Sequence, residues 1–361
     1  MKKSKIWGCV LLCTVAVMLI FLGAITAVID PCFHYHAPLR GFAYPLFDQR
    51  YQNDGIISNF DYDAMIIGTS MTENFKTSEL NALFSVNAIK VPFSGATYKE
   101  IDNNLRKAVK ENPDIKLVVR SLDGYMLTED KNSMRTDAVY PEYLYDENVL
   151  NDVSYLFNKS ILFQYTVKVM QWTIAGMETT SFDEYSQWTD KYPFGPEAVL
   201  DGYQFRPYTG EMPRIDARKE ETVRQNVLQN VVSLAKEHPE ITFYYYFPPY
   251  SIAWWGNVVS DGKLGTQVDA YRIATEEILK CENIKLYAFV GEYPVVTDLN
   301  NYMDFEHHSG EINSMILENL HSGQGLLTAK NWEQYWNEVE NYYGSFDYAS
   351  YLENYGIKPE E

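Results

Sequence analysis

The chain opens on a run with no polar break. Residues 6–28 (IWGCVLLCTVAVMLIFLGAITAV) contain no charge over 23 positions, and a helix rising 1.5 Å per residue crosses a hydrocarbon core of about 30 Å in that length. After residue 59 short apolar runs alternate with amphipathic stretches. Residues 64–67, 85–91 and 117–122 read as buried strands, ending at Gly68-Thr69-Ser70, Phe93-Ser94-Gly95 and Asp123-Gly124. Residues 98–110 carry Ile101, Leu105 and Val109 on one helical stripe. Residues 126–215 interrupt the alternation with scattered aromatics (Tyr140, Tyr143, Tyr145, Trp172, Trp188, Tyr203) and one helical stretch at 160–172. It then returns: a helix over 217–236, a strand over 241–247, a helix over 267–281, a strand over 284–289, and a helix starting near Ser309. This order predicts an α/β domain, a parallel sheet with helices on both faces.

The same pattern sets the expected boundaries. Residues 1–5 form a cytoplasmic N-terminus, 6–28 a transmembrane anchor, 29–59 a juxtamembrane connector rich in proline and aromatics, and 60–361 an exported domain with 126–215 as an insertion or cap. The lysines of MKKSK place the N-terminus on the cytoplasmic side. The run exceeds the roughly 7–15 residues of a cleavable signal, and Ile25 is too bulky for the −3 position of a cleavage site at Ala27, which favours an uncleaved anchor. Neither Cys9 nor Cys13 follows a lipobox.

Charge narrows the partners. A formal net charge of −19 argues against nucleic acid, whose binding rests on phosphate neutralisation by lysine and arginine, and against a polybasic hold on anionic lipid. Two of the four cysteines lie in the apolar run, leaving Cys32 and Cys281, too few for a disulfide framework and read as unpaired.

Candidate chemistry rests on a short list of histidines. Of six, two fall in NYMDFEHHSGEIN, residues 301–313, where Asp304 precedes His307 by three positions just before a helix start at Ser309. A carboxylate so placed can orient the imidazole and leave its other nitrogen free to deprotonate a serine. Ser70, at the end of the first strand, is the candidate. Taken alone, Thr69 or Ser70 is a helix cap and Asp-x-x-His a chance spacing. Asp304, Glu306, His307 and His308 are also metal-ligand types, but no helical H-x-x-x-H accompanies them. The aromatics of the insertion read mainly as packing, with sugar stacking as the minor alternative.

Together, G-T-S after the first strand, Gly95 after the second and D-x-x-H after the last resemble the SGNH/GDSL hydrolase superfamily. The resemblance covers about residues 60–125 and 240–320. It implies a flavodoxin-like three-layer α/β/α domain, with Ser70 as nucleophile, His307 as general base and Asp304 as its orienting acid. It also implies an oxyanion hole from the N–H groups of Ser70 and Gly95, and no metal or cofactor. Two departures stand out: G-T-S replaces G-D-S, and Asp123 stands where the family has an oxyanion-hole asparagine, so that Asn74, one turn after Ser70, becomes a candidate donor. The single anchor and large insertion look similar to the D-alanyl transfer protein of teichoic acid operons and to alginate-type O-acetyltransferases. FYYYFPPYS (243–251) resembles a strand-end motif in such chains. The implied function is a membrane-anchored serine esterase or O-acyltransferase acting on a cell-envelope polysaccharide or teichoic-acid-like polymer, beside a membrane-bound O-acyltransferase. The alternative is an SGNH-fold envelope protein that binds or scaffolds without turnover.

Overall fold

The computed structural model describes residues 2–135, 140–146 and 148–357. Met1 of the expected N-terminus, and residues 136–139 and 147 of the expected insertion, lie outside that range. The chain divides into two compact units, residues 1–61 with 137–185, and residues 62–136 with 186–361.

The first unit begins with one helix, Lys2–Ile29, whose Ser4–Ile29 portion is long and apolar enough to span a bilayer. Residues 29–59, expected as a connector, are folded. Asp30 takes a left-handed backbone (φ 46), and its buried carboxylate accepts the N–H groups of His34, Tyr35 and His36 and the Tyr155 hydroxyl. The Gln52 amide spans the same segment, donating to the carbonyls of Pro31 and Pro45 and accepting the N–H groups of Phe47 and Asp48. It sits in a helix, Gln49–Asn59, and Cys32, Leu144, Tyr155, Ile161 and Tyr165 form a small core. The proline- and aromatic-rich composition that reads as a linker is thus packing material. The expected insertion is correspondingly divided, since 140–185 belongs to this unit and 186–215 to the other.

The second unit is built on a five-stranded parallel sheet: β1 (Ala64–Gly68), β2 (Ala88–Pro92), β3 (Leu117–Ser121), β4 (Thr242–Phe247) and β5 (Ile284–Ala288), in spatial order β2-β1-β3-β4-β5. Every β1 residue is buried, which is why the strand reads as an unbroken apolar run and not as an alternation. β2 starts three residues later than the apolar pattern suggests, because Ser85 adopts a left-handed conformation (φ 57) that ends the preceding Thr77–Phe84 helix. The expected long helix over 217–236 is α-helical at Ala217–Val227 and Ser233–Glu237, with a wider π-helical turn at Leu228–Val232 between them. On one face of the sheet Ile66, Phe75, Val119, Tyr246 and Phe289 pack against Ile316 and Leu317 of the Gly310–Ser322 helix. Each such side chain removed from water contributes about 1.5–3 kcal/mol. Chain order runs outward from β1 to β2, then back across to β3. A crevice outside the carboxyl ends of the strands at such a reversal is where open α/β sheets bind ligands.

Candidate active site

The first strand ends in a turn whose two hydroxyl residues divide the labour. Thr69 is the N-cap of a short 3-10 turn, Ser70–Thr72, and its hydroxyl oxygen accepts the Met71 N–H. The same hydroxyl donates to a carboxylate oxygen of Asp123, at 2.8 Å. Capping therefore falls to Thr69, and Ser70, half-buried, is left to face the 301–309 loop. Gly68 is required just before it, because a Cβ there would collide with Ser121 Oγ and the Thr72 side chain. The buried Lys90 ammonium holds the exit of the turn through the carbonyls of Glu73 and Phe75.

The facing loop is fixed at several points. Its ends meet in a bridge between Tyr302 and His308, and the Met303 N–H donates to the His307 carbonyl at 3.0 Å. The proline-rich turn after β4 supports it from beneath: the Tyr302 hydroxyl donates to the Pro249 carbonyl, and Ser251 Oγ to the Phe305 carbonyl, both at 2.8 Å. Within the loop Asp304 Oδ1 accepts the N–H groups of Glu306 and His307 at 2.8 and 2.7 Å. Oδ2 then lies 2.8 Å from His307 Nδ1, and His307 Nε2 lies 2.8 Å from Ser70 Oγ. With Nδ1–H donating to Asp304, Nε2 is the acceptor for the Ser70 hydroxyl.

Electrostatics follow this chain. Burial works against the imidazolium, but the hydrogen bond and charge of Asp304, with Glu306 and Glu73 behind it, outweigh that cost and hold the His307 pKa above its ordinary value. Asp304 shows the complementary shift, burial opposing it and His307 prevailing, so its pKa is lowered. For Glu306 the balance goes the other way. Burial, assisted by the charges of Asp123 and Asp304, pushes it up to about 7 despite the opposing pull of His307 and a hydrogen bond with Trp254. His308 turns the other way, into the protein, where burial lowers its pKa to about 4 and keeps it neutral. Among the described residues no group of three His, Cys, Asp or Glu side chains is arranged to hold a metal ion.

The sequence-derived candidates thus meet in part. Ser70, His307 and Asp304 form one hydrogen-bonded series. Gly95 follows β2 in a left-handed conformation (φ 64), the region that favours glycine, and a Cβ on it would collide with the Arg135 guanidinium, which donates to the Ser94 carbonyl at 2.6 Å. Asn74 has partners in the scaffold. Its buried amide accepts the Trp188 N–H at 3.0 Å and donates to the His308 carbonyl at 3.5 Å, so it ties the loops on either side of the site. Asp123 is fully buried, with one oxygen accepting from Thr69 and the other from the Tyr250 hydroxyl at 2.7 Å. It braces the Ser70 turn, and although Ser121 adds a third hydroxyl donor at 3.5 Å, burial outweighs these hydrogen bonds and the nearby His307 and raises its pKa.

Trp188, read from sequence as packing, stands perpendicular to the His307 ring, with centroids 5.6 Å apart, and stacks in turn on Phe194. Nothing in its own sequence neighbourhood marks it. Tyr250 could have been anticipated, since the two prolines of FPPYS stop β4 and carry the next residues over the strand ends. Comparison with protein-family models, with characterised proteins and with solved structures found no match for this chain.

Proposed function

We propose that the protein is a membrane-anchored serine acyl esterase or O-acyltransferase of the SGNH/GDSL type, with its N-terminus in the cytoplasm and its second unit working outside on a cell-envelope polysaccharide or teichoic-acid-like polymer. The observation that carries the reading is the Ser70–His307–Asp304 series, with both links at 2.8 Å, at the carboxyl edge of a parallel sheet. The strand order β2-β1-β3-β4-β5 is that of flavodoxin-like sheets, which supports the family assignment.

In this mechanism Ser70 Oγ attacks an acyl carbonyl while His307 Nε2 takes its proton. Asp304 holds the resulting imidazolium. Negative charge developing on the carbonyl oxygen is met by the N–H groups of Ser70, at the open start of its turn, and of Gly95. The tetrahedral intermediate collapses to acyl-Ser70, and the leaving oxygen takes the proton from His307. Water or a polymer hydroxyl then gives its proton to His307, attacks the acyl carbon and releases Ser70. Hydrolysis and transfer share every step except the identity of that last nucleophile. A membrane-bound O-acyltransferase would serve as acyl donor.

Fluorophosphonate labelling of the full-length protein tests the assignment. Wild type should label, and Ser70→Ala and His307→Ala should not. Equal labelling of wild type and Ser70→Ala would refute the nucleophile. Wild type that is folded yet inert would transfer the weight to a binding or scaffold protein with the same fold.

A further inference from the structure

The first unit carries apolar side chains on two sides of one helical stretch. Ile161–Thr166 is a π-helical turn continuing into the Val167–Ile174 helix. Ile161, Tyr165 and Val169 are buried within the unit, while Phe163, Met170 and Ile174, on other sides, are 64, 43 and 83 % exposed. Val149, Leu150 and Val153 are also exposed, at the start of the Val153–Leu156 helix, which packs against the Ile161–Thr166 turn. A helix at the surface of a water-soluble domain turns polar residues outward, and contiguous exposed apolar surface marks an interaction site.

Two observations say what covers it. The Lys2–Ile29 helix packs directly against Val153–Leu156 and Ile161–Thr166, and the Phe157 ring lies over Gly23, where a Cβ would come within 3.2 Å of it. Gly23 belongs to the stretch that is long and apolar enough to span a bilayer, so the exposed group adjoins the end of that span. The second observation is charge. Residues 149–177 hold two lysines and one acidic residue, Asp152, which is buried against His34 and Tyr35, in a chain of net charge −19. Lys168 lies over the Phe47 ring at 3.7 Å, and Lys159 is exposed. Apolar residues interspersed with lysines suit the boundary between acyl chains and anionic headgroups.

We propose that this face is immersed in the outer headgroup and upper acyl layer of the bilayer, so that the first unit lies in the membrane surface beside its own anchor. The inference rests on the reading of Lys2–Ile29 as a membrane span. It is tested on the full-length protein, with Cys9 and Cys13 changed to serine, in nanodiscs of phosphatidylglycerol and phosphatidylcholine. Nitroxide labels are placed singly at Phe163→Cys, Ile174→Cys and Leu150→Cys, with Val17→Cys as the marker of the span and Lys330→Cys as the marker of water. The three face labels should resemble Val17→Cys, accessible to oxygen and shielded from a water-soluble nickel chelate. If they resemble Lys330→Cys while Val17→Cys stays lipid-buried, the immersed face is refuted and the span stands. Labels shielded from both reagents would mean that protein covers the face, which also refutes it. Nickel access at Val17→Cys would instead remove the span itself, and the proposal with it.

Discussion

Replacing Asp304 with asparagine alters one group's charge and keeps its shape, and the surrounding loop dictates how the new side chain must sit. Oδ1 of Asp304 faces two backbone donors, the N–H groups of Glu306 and His307, so only the amide oxygen can take that place. The NH2 group is then forced opposite His307 Nδ1, which must present a lone pair to it. The ring proton moves to Nε2, pointing at Ser70 Oγ, and the base is gone. Loss of the correct tautomer in such a series costs about 10⁴ in rate, or about 5.4 kcal/mol in transition-state stabilisation at 1.36 kcal/mol per decade. The pH profile should move as well. Asp304 is the chief influence raising the His307 pKa against burial, so the acid limb of any residual activity should fall to lower pH. Stability changes with definite sign. The raised His307 stabilises the fold fully below its ordinary 6.5 and loses that contribution as pH rises through its folded value. The lowered Asp304 stabilises it above 3.8 and loses that contribution as pH falls through its folded value. The cost of Asp304→Asn should therefore be greatest between those limits, and small, because the Asp304 side chain is 39 % exposed and screened by solvent. Stopped-flow fluorophosphonate labelling between pH 5 and 9 reads the rate and the limb together. A variant within tenfold of wild type, with its acid limb unmoved, would refute the assignment of Asp304 as the group that orients His307.

Thr69→Val should destabilise the second unit by about 1–3 kcal/mol, the usual cost of leaving a buried polar partner unmet, because Asp123 loses a hydroxyl donor at 2.8 Å; urea denaturation measures it, and an unchanged midpoint would contradict the bracing role. For Glu306→Gln, the acid limb of labelling should shift to lower pH, since an anion that supports the His307 cation is removed. Wild type should also lose stability between pH 4.5 and about 7, where the folded state holds the Glu306 proton more tightly than the unfolded chain, and the glutamine variant should lack that slope in thermal melts. Trp188→Ala should cost about 3–5 kcal/mol as a large buried ring is deleted and should lower the labelling rate by loosening His307; a normal rate at normal stability would remove Trp188 from the site.

Periodicity carried the strands and their order in the chain because a strand buried on both faces must be apolar throughout, as every residue of β1 is. Local spacing carried the Asp304–His307 link, since three residues of loop are enough to bring a carboxylate back onto a ring nitrogen. The Lys2–Ile29 helix was legible for the same reason, being a property of one continuous segment. The order of residues 29–59 was not legible because it depends on Asp30 and Gln52 finding partners through long-range packing, as with Tyr155, 125 positions away. The partners of Asn74 and Asp123 were not legible for a similar reason. A polar side chain near a nucleophile can serve the reacting atoms or the scaffold, and only the positions of Trp188, Tyr250 and Thr69 decide which.

The sequence by itself determined the parallel α/β pattern, the apolar N-terminal helix and a serine at a strand end, because these are encoded within single stretches of chain. Only the tertiary structure decided that Ser70 meets His307, that Thr69 and not Ser70 caps the turn, and that Trp188 stands against the imidazole. Those relations cross up to 237 positions of sequence, and they exist only once the sheet has aligned the strand ends and the loop has closed over them.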